Sequence, residues 1–226
     1  MLPFSSILWS SVGKKILTGI TGILLTLFVI GHMGGNINLF IGSDAFNLYT
    51  RKLESLGILL YVIEIGLVSV FVIHAIIGIS IYLKKRDARP EPYMKVGDAG
   101  GNSQKSVSSV TMIWTGLIML AFTVLHLITF KYGPHYNTMV DGVPMRDLYR
   151  LVIEVFQSPS YAFGYVIVMI LLGFHLRHGF WSAFQSLGLT NPRYKAIVYG
   201  LGIFLSFLLA IGFLSMPLCI YFGLIK

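Results

Sequence analysis

Polar and apolar positions along this chain alternate on the scale of whole segments. Five long apolar runs occupy roughly residues 15–40, 57–83, 108–130, 161–187 and 196–224, and the charged residues collect between them. Each run reaches the ~20 residues that a helix needs to cross about 30 Å of hydrocarbon. Barrel strands would instead show ~10-residue segments of strict alternation. Backbone amides in lipid have only the protein itself for partners. The pattern therefore predicts an all-α integral membrane bundle of five transmembrane helices, one membrane domain spanning residues 1–226. The first run lacks a small-residue cleavage site and is too long for a signal-peptide core, so it reads as a retained span. No internal repeat and no low-complexity tract is evident.

Composition agrees. The chain is 55% hydrophobic and 12% charged, about half the charged fraction of a soluble domain. Its net charge of +8 does not mark a nucleic-acid surface, because the basic residues flank spans instead of forming one patch. They act as a topology signal. Lys14, Lys15, Lys84, Lys85, Arg86, Arg89, Lys95, Lys105, Arg193 and Lys195 fall on one side, ten in all. Arg51, Lys52, Lys131, Arg146, Arg150 and Lys226 fall on the other, six in all. This predicts a cytoplasmic N-terminus and an outside C-terminus. The single cysteine, Cys219, lies in the last span and reads as packing; no CxxCH occurs, so covalent c-type haem attachment is excluded.

Histidine is the residue that changes the picture. His135 lies in a polar loop, but the other five fall within spans: His32, His74 and His126 in the first three, His175 and His178 in the fourth. Depth sorts them. His32 lies 17 residues beyond Lys15, about 25 Å from the inner side. His126 lies five residues before Lys131, also in the outer part. His74 lies ten residues before Lys84, about 15 Å from the inner edge, and His175 is in the inner half of a helix running inward. Two levels result: His32 with His126 outside, His74 with His175 inside. Two imidazoles facing one another from different helices are what a six-coordinate haem iron needs. A structural zinc site wants four close ligands, which two levels split apart. Gly35, Gly78 and Gly179 sit one turn from three of the histidines and are expected to make room for a porphyrin. His178 and Arg177, nearer the inner surface, are candidate partners of a haem propionate, with snorkelling as the alternative for Arg177.

The segments FHLRHGFWSAFQSLGL, GHMGGNINLF, EIGLVSVFVIHAIIGI and SSVTMIWTGLIMLAFTVLHLITF resemble the five-helix, two-haem cytochrome b subunit of succinate:quinone oxidoreductases, the succinate dehydrogenases and quinol:fumarate reductases. The resemblance covers nearly the whole chain. It implies two non-covalent b haems on His32, His74, His126 and His175, quinone as substrate with menaquinone favoured, and docking of a flavoprotein subunit and an iron–sulfur subunit on the cytoplasmic face of a prokaryotic inner membrane. Dicarboxylate chemistry would then lie on those partners. One branch carries a glutamate 22 residues after the first-helix histidine, beside its menaquinol site; here that position is Glu54, the candidate proton acceptor. Glu64, seven residues into the second span, is a possible proton relay, and a carboxylate there is expected to be protonated or paired. The same branch has a glutamate two residues before the fourth-helix ligand, where this chain has Gly173. Two other functions compete: a dihaem anchor of another quinone-linked dehydrogenase, and a haem-free proton-coupled transporter with the histidines and Glu64 as its relay.

Overall fold

A computed structural model describes residues 9–88, 106–189 and 191–226. The expected bundle is present. Its spans are α1 (Ser11–Asn36, extended by a 3-10 turn, Ile37–Phe40), α3 (Ile58–Asp87), α5 (Met112–His126, continued by a π turn, Leu127–Lys131), α7 (Pro159–Ser186) and α8 (Pro192–Tyr221). Their ends follow from local chemistry. Ser10 caps α1 by accepting from the Gly13 amide at 3.0 Å, and Asn191 caps α8 by accepting from the Arg193 amide at 2.9 Å. Proline opens both α7 and α8, where its missing N–H costs no helical bond. Lys84, Lys85 and Arg86 close α3, which marks one end of the bundle as the basic end. Arg89, Lys95 and Lys105 lie outside the described residues.

The opposite end carries structure that the run pattern does not announce. Two amphipathic helices, α2 (Ser43–Glu54) and α6 (Leu148–Phe156), cap the bundle there together with an antiparallel hairpin, β1 (Asn137–Val140) and β2 (Val143–Arg146). The hairpin turns on Asp141 and Gly142, both at positive φ, the Asp-Gly signature of a tight two-residue turn. The short helix α4 (Val107–Val110) lies before α5 at the basic end. The largest buried cluster sits where α2 and α6 meet the spans, with Leu39, Phe46, Val152, Phe156, Met216 and Ile220 among its members.

Within the bundle α7 is central, packed on α8, α1 and α5, while α3 leans chiefly on α1. Small residues set these approaches. A Cβ on Gly19 of α1 would lie 3.2 Å from the Ala183 carbonyl of α7, and one on Gly173 of α7 would lie 3.0 Å from Cβ of Ala210 on α8. The outward faces are apolar and open; Tyr61, Ile65, Phe204 and Phe207 are each about three-fifths exposed, as lipid-facing residues should be.

Asn47 ties the cap together. It is 1% exposed, its amide donates to Asp147 Oδ1 at 2.8 Å, and its carbonyl accepts from the Tyr149 amide at 3.0 Å. Asp147 in turn caps α6 by accepting from the Arg150 amide at 3.1 Å. Asn47→Ala is expected to cost about 1–3 kcal/mol by leaving buried groups unpaired, read as a lower thermal midpoint in detergent; an unmoved midpoint would show that the cap does not depend on Asn47.

Candidate site: two facing pairs of imidazoles

The structure brings the histidines together in the two pairs that depth suggests. The rings of His32 on α1 and His126 at the end of α5 lie 5.8 Å apart between centroids, with planes at 85°. Those of His74 on α3 and His175 on α7 lie 6.4 Å apart, with planes at 67°. A metal bound by two imidazole nitrogens at about 2 Å each requires ring centroids roughly 6 Å apart. Among the described residues no three His, Cys, Asp or Glu side chains converge, so the imidazoles meet strictly two by two. That is the donor set of an axial pair and leaves a tetrahedral zinc site two ligands short.

The second nitrogen of each basic-end ring is occupied. Thr21 Oγ1 lies 3.0 Å from His74 Nδ1, and Thr115 Oγ1 lies 3.1 Å from His175 Nδ1. The Thr21 hydroxyl donates its own hydrogen to the Leu17 carbonyl at 2.7 Å, and the Thr115 hydroxyl donates to the Met112 carbonyl at 3.0 Å. Each hydroxyl is left as an acceptor, so each imidazole donates from Nδ1. The neutral ring then carries its lone pair on Nε2, the form that binds a metal. Glycine follows each threonine and lets the ring lie against the backbone: a Cβ on Gly22 would be 3.3 Å from His74 Cε1, and one on Gly116 would be 3.4 Å from His175 Cε1.

These two Thr-Gly pairs belong to a shared local spacing. Residues 21–32 read TGILLTLFVIGH and residues 115–126 read TGLIMLAFTVLH, matching at Thr, Gly, Phe and His. Thr to His is 11 residues in both, about 1100° around the helix, so the two side chains share one face about 16 Å apart. The matched phenylalanines do the same work: Phe28 lies 5.4 Å from the His32 ring and Phe122 lies 5.6 Å from the His126 ring. α1 and α5 are thus twins, each offering a hydroxyl at one level and an imidazole at the other. α3 and α7 are their counterparts, each supplying the ring that the hydroxyl holds. Every facing pair takes one member from α1 and α3 together and one from α5 and α7. The shared pattern is short and mostly apolar, so hydropathy alone hides it; the common spacing of Thr, Gly, Phe and His is the signal that finds it.

The hairpin-end pair is held differently. Tyr165 Oη lies 3.3 Å from His126 Nδ1, and Phe130 and Phe213 pack on the pair at 5.3 Å from His126 and 5.8 Å from His32 respectively. Arg146 sits above it, its Nη2 donating to the carbonyls of Phe130 at 2.8 Å and Pro134 at 3.3 Å. Its buried Nε has no partner among the described residues, and neither has the buried Oγ of Ser108 on α4 at the other end. An unpaired buried polar atom is costly, and a ligand carboxylate would satisfy either. Sequence reasoning missed Arg146 because it lies in a loop far from any histidine in the chain. It named His178 and Arg177, which are half-buried on α7 toward the basic end; Arg177 reaches only Tyr199 Oη, at 3.5 Å. Two axial nitrogens at each level, with an unpaired donor toward each end, fit a dicarboxylate porphyrin.

The structure changes one expectation about small residues and gives two acidic residues their surroundings. Gly35 admits the Tyr49 ring and Gly179 faces Met112, so neither opens space beside a histidine, whereas Gly78 does face open space. Glu64 is paired, with Lys131 at the end of the third span, so of the two expected states it adopts the ion pair. Glu54 closes α2 as an exposed residue whose carboxylate has no partner among the described residues, because Arg51 turns to the Pro144 carbonyl instead. His135 is exposed, as expected of a loop residue.

Comparison of the chain with protein-family models, with curated proteins and with solved structures found no match.

Thr21→Val is expected to weaken metalloporphyrin binding at the His74–His175 level by about 10–100-fold in a titration of the haem-free protein, with the other level unchanged. Equal binding at both levels would show that the hydroxyl does not orient its imidazole.

Proposed function

We propose that this chain is the dihaem cytochrome b membrane anchor of a succinate:quinone oxidoreductase, carrying electrons between an iron–sulfur partner subunit and membrane quinone. The observation that supports this reading is the meeting of His32 with His126, and of His74 with His175, at metal-bridging separation on two levels. Two b haems bound there would supply reversible one-electron chemistry across the thickness of the bilayer. The chain's own residues do the rest. Four imidazoles bind iron, Thr21 and Thr115 orient two of them, and the phenylalanines around His32 and His126 keep water out. Arg146 at the hairpin end, and His178 with Arg177 toward the basic end, meet the propionates.

Dicarboxylate chemistry falls to a flavoprotein subunit and an iron–sulfur subunit, since one cysteine cannot hold a cluster. Lys84, Lys85 and Arg86 give those partners a cationic, exposed platform at the basic end. The excess of basic residues on that side supports a cytoplasmic position for it, and the reading as such an anchor carries with it the inner membrane of a prokaryote.

A reduced-minus-oxidised spectrum of the purified protein is expected to report two b haems per chain. His126→Ala should retain only the His74–His175 haem, and His74→Ala only the other. A colourless preparation, or two haems in both variants, would contradict the assignment.

A further inference from the structure

A lysine near the end of a span ordinarily snorkels to water. Lys14, in the first turn of α1, does not: it is 4% exposed, and its Nζ donates to Ser80 Oγ of α3 at 2.5 Å. Lys84 lies one turn beyond Ser80 on the same face of α3, and its ammonium comes close enough to repel that of Lys14. The Trp9 ring covers the lysine head, 4.9 Å from Nζ to its centroid, and is itself 56% exposed. Tryptophan of this kind stands at headgroup level. The ion pairs among the described residues join Lys131 to Glu64 and Arg150 to Glu154, so neither ammonium at this seam meets a carboxylate there.

Two like charges side by side are unfavourable until an anion lies between them. Lys14 has three N–H donors and spends one on Ser80, which leaves hydrogens for such an anion. The surroundings say which kind. Ile76 and Ile73 lie one and two turns deeper on the Ser80 face of α3 and are 52% and 44% exposed. They form an apolar track that runs from the two ammoniums into the hydrocarbon. A free phosphate has no use for that track, whereas a lipid phosphate brings an acyl chain to cover it. A zwitterionic headgroup would add a third cation to the two already present. Basic pockets between transmembrane helices hold anionic lipid headgroups in this way.

We propose that the seam between α1 and α3 at the basic end binds an anionic phospholipid, with its phosphodiester between Lys14 and Lys84 and an acyl chain along Ile76 and Ile73. The site goes beyond the electron-carrying reading and stands whether or not haem is bound.

Native mass spectrometry of the full chain in detergent, stripped of lipid and titrated with phosphatidylglycerol, tests it. One lipid per chain is expected to bind about tenfold more tightly than phosphatidylcholine, and millimolar inorganic phosphate should not displace it. Lys14→Gln and Lys84→Gln should each weaken binding about fivefold, the factor for one cation near an anionic headgroup. Lys85→Gln, turned about 100° further round the helix, should leave the affinity unaltered. Lys84 is exposed at a helix end, so its variant reads the site even where Lys14→Gln does not fold. Equal binding of the two lipids, or unaltered affinity in Lys84→Gln, overturns the proposal. Displacement by inorganic phosphate overturns the lipid as the source of the anion. Loss of a co-purifying soluble subunit from Lys84→Gln, with lipid binding unaltered, assigns the pair to protein docking instead.

Discussion

An imidazole buried in a membrane bundle must have both ring nitrogens accounted for, and that requirement organises this protein. At the basic end the Nδ1 atoms of His74 and His175 are each taken by a threonine hydroxyl whose own hydrogen is already committed to its helix. What remains is an Nε2 lone pair on each of two rings placed face to edge, with no proton to share between them. Two such lone pairs are satisfied together by an electrophile, and a metal ion is the one that imidazole pairs hold. Removing the hydroxyls would free each ring to take the other tautomer and turn away.

The same requirement explains the backbone. For one helix to hold a partner's ring at one level and present its own ring at another, the two positions must share a face, and 11 residues is three turns plus about 20°. α1 and α5 both use that spacing. Glycine beside each threonine brings the ring against the helix, and glycines elsewhere in α1 and α7 let the spans approach closely enough to bring the rings together. α8 carries no histidine; it packs along α7 and completes the bundle. The cap of α2, α6 and hairpin closes the other level, where aromatic rings, one tyrosine hydroxyl and Arg146 replace the threonines.

Much of this was legible in the sequence because lipid imposes simple rules. Five runs of spanning length gave five helices to within a few residues, and a fixed rise per residue was enough to pair His32 with His126 and His74 with His175 before any coordinates. The cap was not legible: α2 and α6 are short and amphipathic, and in a hydropathy profile they merge with polar loop. The Asp141-Gly142 turn carried a readable hairpin signal that the run pattern overshadowed. Glycine roles were misread at Gly35 and Gly179, because spacing along one helix does not say which neighbouring helix a glycine faces. Glu64 needed a cation that lies 67 residues away in the chain, and only the fold brings Lys131 to it.

In the proposed reading, two iron porphyrins would each be held by two imidazoles whose planes are steeply crossed, at 85° and 67°. Low-temperature electron paramagnetic resonance of the oxidised protein addresses it directly. Two low-spin ferric signals of equal weight per chain are expected, both of the strongly anisotropic type given by crossed imidazole ligands. A high-spin ferric signal from the intact protein, a single low-spin species, or no ferric signal would contradict it.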